Sequence, residues 1–102
     1  MAFLITRDFI TRKNEEGYGV GVTGPRTARD ETIARLQNGE GEAFRLLDDD
    51  GLVYYHGRFL DDAFAEDYRG EPEFQALDCY GTPNAGAAWI QYRNEHGTWE
   101  TL

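Results

Sequence analysis

The apolar positions of this chain fall in short runs separated by polar turns, and most runs suit strands better than helices. "AFLITRDFI" (Ala2 to Ile10) is mostly apolar and β-branched and predicts a strand. "TRKNEEG" (Thr11 to Gly17) is a polar turn. In "YGVGVTG" (Tyr18 to Gly24), Tyr18, Val20 and Val22 share one face at a period of two. Gly19 and Gly21 leave the other face bare, which predicts a close neighbour there. The two strands form a first hairpin. "TGPRTARDETIARLQNGEG" then changes to a helical pattern. Thr27 is placed as N-cap, Asp30 stands three residues on as a variant of the capping box, and Gly39 follows Asn38 as a stop. The apolar positions Ala28, Ile33, Ala34 and Leu36 make a narrow stripe, so the helix, about residues 27–38, should cover one face of a sheet.

"FRLLDDDGLVYYHGRF" (Phe44 to Phe59) is a second hairpin with three aspartates at its centre. Asp50-Gly51 fits a two-residue turn, which pairs Leu47 with Tyr54 and Leu46 with Tyr55. Phe44, Leu46, Val53, Tyr55 and Phe59 then share the core face, and Arg45, Leu47, Tyr54 and His56 share the other. A loop one residue longer swaps the facing of one strand. Asp61 to Glu73 reads as an acidic loop or a short helical turn around Ala63 to Tyr68. Phe74 to Gly81 reads as a strand, and Thr82 to Gly86 as a turn. Ala87 to Leu102 reads as a final hairpin turning at Asn94 to Gly97, with Trp89 and Trp99 on its arms, placed to pair across it. The expected fold is α+β: one domain, residues 1–102, with a mainly antiparallel sheet of about six to seven short strands and the single helix packed on it.

Composition adds limits. A chain of 102 residues with 40% hydrophobic and 14% aromatic residues supports one small core. No apolar run approaches the roughly 20 residues that span a bilayer. The first residues carry no signal-peptide pattern, and the lone Cys79 cannot form an internal disulfide. A cytoplasmic location is expected. The net charge of −9 is uneven. Residues 1–36 hold six basic side chains against five acidic ones, whereas residues 37–102 hold four against fourteen. Such a field repels nucleic acid and anionic membranes and attracts cationic surfaces.

Catalytic equipment is sparse. The chain has no serine, which excludes a Ser-His-Asp triad, and its one lysine, Lys13, lies in a polar turn. The glycines of "YGVGVTGP" lack the lysine and spacing of a phosphate loop. With Gly51 at position six of an EF-hand loop, Leu46 and Gly57 occupy the first and last ligand positions, so that pattern fails. Cys79, His56 and His96 lack zinc-ligand spacing, and Cys79 reads as a buried small hydrophobe. The interleaved basic residues Arg7, Arg12, Lys13, Arg26, Arg29 and Arg35 read as ion-paired surface rather than as a nucleic-acid face. No enzyme activity, catalytic residue, metal or cofactor is expected.

The sequence therefore points to a binding protein. Its carboxylates Asp48, Asp49, Asp50, Asp61, Asp62, Glu66, Asp67, Glu71 and Glu73 are candidates for a surface that docks on a basic, nucleic-acid-binding protein. That is how acidic nucleic-acid mimics of the anti-restriction or anti-CRISPR type inhibit their targets. The alternative is a protein-interaction surface built from Tyr54, His56, Trp89, Tyr92 and Trp99 on the two later hairpins.

Overall fold

A computed structural model describes residues 1–10, 20–61 and 75–101. Its centre is a six-stranded antiparallel sheet in the order β2-β1-β4-β3-β5-β6. The strands are β1 (Ala2–Asp8), β2 (Thr23–Gly24), β3 (Glu42–Leu47), β4 (Val53–Leu60), β5 (Trp89–Arg93) and β6 (Trp99–Thr101). Helix α1 spans Asp30–Gln37. A wide-wound π turn, Leu77–Gly81, runs into a short helix α2, Thr82–Ala85. The expected α+β class with a mainly antiparallel sheet is the one observed. The expected turn Thr11 to Gly17, the start of the second strand at Tyr18 and Gly19, and the segment Asp62 to Phe74 lie outside the described residues.

The sheet has two unlike faces. On one, Phe3, Ile5, Phe44, Leu46, Tyr55 and Ile90 bury against Ala76, Leu77 and Ala87 from the helical segment and its exit, with Phe59, Tyr80 and Tyr92 packed alongside. On the other, α1 lays Leu36 and Ile33 on Ala2, Leu4 and Leu60, so it covers only the β1–β4 end. Arg58 of β4 donates to the carbonyls of Leu36 and Glu40, fastening the C-terminal end of α1 to the sheet.

Several local expectations need correction. Phe74 to Gly81 does not form a strand where it is described, because Ala76, Leu77 and Tyr80 reach the core at helical spacing. The "TPNAG" turn is α2, with Pro83 in its first turn and Gly86 left-handed at its end. Thr27 is not the cap of α1, since Ala28 N–H donates to the Pro25 carbonyl and the helix starts after Arg29. Gly21 has no neighbour within 4 Å of where a Cβ would stand; its φ of +91° is what calls for glycine there. Trp89 does not pair with Trp99: Trp89 faces Leu47 of β3, and Trp99 pairs with Arg93.

The aspartate hairpin closes through a three-residue loop rather than the two-residue turn. Asp48 N–H donates to the Leu52 carbonyl, and Gly51 N–H donates to the Asp48 carbonyl. The extra loop residue pairs Leu47 with Val53, and a bulge at Tyr54 restores the expected pair Leu46–Tyr55. Phe44, Leu46 and Tyr55 thus keep the core face.

Candidate functional site

Asp48 is a turn residue, 8% exposed. Its Oδ1 accepts N–H bonds from Asp50 and Leu52, at 2.9 and 2.8 Å. The Tyr54 phenol lies above its ordinary range through desolvation and then through Asp48, to which it hydrogen-bonds. The last hairpin repeats this device with a neutral residue: Asn94 Oδ1 accepts from His96 and Thr98, at 2.9 and 3.0 Å. An amide therefore does the work of the carboxylate. Asp48→Asn should leave stability within about 0.5 kcal/mol. Asp48→Ala should cost about 1.5 kcal/mol, because two turn N–H groups lose their acceptor. Urea unfolding of both variants tests this.

Asp49 and Asp50 remain exposed at the tip. The three aspartates present oxygens within 4.8 Å of one another, but Asp48 is already engaged by the backbone. Asp61 is exposed beyond the far end of β4. Asp62, Glu66, Asp67, Glu71 and Glu73 lie outside the described residues, as does the Cys79 side chain. The described part of the acidic candidate surface is thus a tip and one distant residue.

The aromatic candidates divide between the faces. Tyr92 packs on the core side, its ring centroid 4.9 Å from Phe59 and 6.1 Å from Phe44. Tyr54 occupies the bulge beside Asp48 and packs against the core cluster, not on the second face that alternation predicts. His56, Trp89 and Trp99 belong to the second face. There Arg7, His56, Arg45, Gln91 and Thr101 are successive cross-strand partners on β1, β4, β3, β5 and β6. The row is roughly 19 Å long at about 4.8 Å per strand.

Around this row the side chains touch. The His56 ring lies edge-on to Phe9 at 5.3 Å and to Trp99 at 5.7 Å. The Arg45 guanidinium sits 4.5 Å over the Trp99 ring, and its Nε donates to Gln91 Oε1 at 2.6 Å. Gln91 donates onward to the Thr101 hydroxyl at 2.8 Å. An open groove of about 350 Å³ continues past Gln91 and Thr101 to Trp89, Asp49 and Asp50. Trp89 is 47% exposed.

The strand charges of this face are of one sign, with Asp49 and Asp50 at the far end of the groove. Strand alternation turns Arg7, Arg45, Arg58 and Arg93 toward it, while the strand carboxylates Asp8, Glu42 and Glu100 pair with residues of the core side. The basic residues of the first third divide: Arg29 pairs with Glu31 and Arg35 with Glu40, as expected of a solvated surface. Among the described residues Arg7, Arg45 and Arg93 pair with no carboxylate. His56 is held below its ordinary value by burial first and then by Arg45 and Arg7. Its neutral form is favoured in the fold, so its contribution to stability is present above about pH 6.5 and is lost as pH falls below it.

This layout is open to fluorescence. With Trp89→Phe, emission comes from Trp99 beside Arg45, and iodide should quench it more than caesium does. With Trp99→Phe, emission comes from Trp89 beside Asp49 and Asp50, and the order should reverse. Equal quenching by both ions in both variants would contradict the assigned fields.

Sequence patterning placed Arg45 and His56 together but missed Arg7, Phe9 and Gln91. The alternation of Arg7 with Phe9 in "TRDF" was the available signal. Comparison with family models, curated proteins and solved structures found no match to this chain. No helix among the described residues is long and apolar enough to cross a membrane.

Proposed function

We propose that this protein is a non-enzymatic binding protein that docks a protein partner on the half of its sheet face that α1 leaves open. The carrying observation is the joined set Phe9–His56–Trp99–Arg45, on a face where three arginines meet no carboxylate among the described residues, in a chain of net charge −9. Tryptophan and arginine are the side chains that most often dominate binding energy at interfaces. A partner with an anionic contact surface complements the arginines.

A second mode, modulation of a basic nucleic-acid-binding protein through carboxylates, is favoured by Asp49 and Asp50 standing exposed on a hydrogen-bonded hairpin tip, next to Leu52 at 64% exposure. The two modes predict opposite variant patterns. A partner captured from lysate is identified and purified, then titrated against wild type, Arg45→Glu, and a double Asp49→Asn, Asp50→Asn variant. Docking on the arginine face predicts loss with Arg45→Glu and retention with the double variant. The carboxylate mode predicts the reverse, with affinity falling steeply as salt rises.

A further inference from the structure

We infer that the row Arg7–His56–Arg45 is a carboxylate-binding cleft, and that its occupant is an acidic side chain set among apolar residues on the partner protein. This rests on the reading of the face as a docking surface. Arg7 and Arg45 stand on either side of His56 in register. Arg45 is held in place by Trp99 below and Gln91 at its Nε, while its terminal amino groups meet no carboxylate among the described residues. A guanidinium fixed in this way offers a fork for a carboxylate with little further loss of freedom. Phe9 and Trp99 supply apolar contact beside it.

Charge selects among anions. A run of phosphates would feel the net charge of −9 along its length and would meet Asp49 and Asp50 at the groove's far end. One or two carboxylates within an apolar segment carry less charge against that field and need not reach the aspartates. A second copy of this chain brings the same net charge against itself, so self-association is disfavoured.

Proton uptake follows. Among the described residues the charged groups facing His56 are Arg45 from β3 and Arg7 from β1, while the contacts from β6 and from the residues after β1 are the uncharged Trp99 and Phe9. A carboxylate seated between the arginines offsets their repulsion of an imidazolium. Binding is then tighter at lower pH.

The test uses the Trp89→Phe protein, whose emission reports Trp99 alone, and three probes: a short peptide of glutamates among phenylalanines and alanines, its glutamine counterpart, and a short oligothymidylate. The glutamate peptide should bind about tenfold more tightly than the glutamine peptide. Its affinity should rise about threefold from about pH 7.5 to about pH 6. Arg7→Gln or Arg45→Gln should erase the preference for glutamate, and His56→Gln should erase the pH response alone. Equal binding of the two peptides, or no binding by either, overturns the cleft, as does tighter binding of the oligothymidylate. If the cleft fails in this way while a purified partner is still lost with Trp99→Ala, the docking face stands. If the partner is indifferent to Trp99→Ala, that face fails too.

Discussion

Gly57→Ala is expected to destabilise the fold by about 3 kcal/mol, near the upper end of ordinary overpacking costs. Gly57 sits on β4 between Tyr55 and Phe59, in the middle of the sheet's core side. A Cβ there would stand 2.6 Å from the Leu4 carbonyl oxygen and closer still to the Phe44 ring. The ring is fully buried and has little room to retreat, and the carbonyl belongs to the neighbouring strand β1. Urea unfolding measures the loss. Adding Phe44→Leu should recover part of it, because the ring contact is relieved while the backbone contact remains. An alanine variant as stable as wild type would contradict this close approach of β1, β3 and β4.

The second large effect concerns binding. Arg45→Glu should weaken the partner complex about 50-fold, a loss of about 2.3 kcal/mol, while stability changes by less than about 1 kcal/mol. The substitution removes the cation over Trp99 and the donor to Gln91, and puts a carboxylate where an anionic partner docks. The fold tolerates it because Arg45 is half-exposed and its neighbours His56 and Arg7 gain an opposite charge. Titration calorimetry beside thermal unfolding separates the two quantities. Unchanged affinity would remove Arg45 from the site.

Much of the fold was legible because local patterns carried it. Alternation in β3 and β4 identified the core side at Phe44, Leu46, Tyr55 and Phe59, though the bulge put Tyr54 rather than Val53 against the core, and Asn38-Gly39 marked the end of α1. The aspartate hairpin loop was misjudged by one residue because an Asx side chain can close a longer loop, whereas the last hairpin turns at Asn94 to Gly97 as expected. The spacing Asp48 to Gly51 recurs as Asn94 to Gly97, and that repetition was the missed signal. Residues 74–81 misled because a short apolar run fits a strand or a helix equally well, and packing against β3 and β5 decided the outcome.

The site was less legible. Arg45 and His56 are hairpin neighbours, so their shared face could be read locally. Arg7, Gln91 and Trp99 join them only through the strand order β1-β4-β3-β5-β6, and the Arg45–Gln91 bond spans 46 positions of sequence. No local pattern encodes such pairings. The count of carboxylates drew attention to the acidic segment, whereas the separation of charge between the sheet's faces emerges only once the strands are in register.

The central claim is that the arginine–aromatic half-face is the working surface. The most direct measurement is a two-dimensional NMR titration of the isotope-labelled protein with its purified partner. The account predicts that the Arg45 Nε–H and Trp99 indole signals shift or broaden first, with the backbone amides of Asp49 and Asp50 little changed. Perturbation centred on Asp49, Asp50 and Asp61, with Arg45 and Trp99 unmoved, would contradict it.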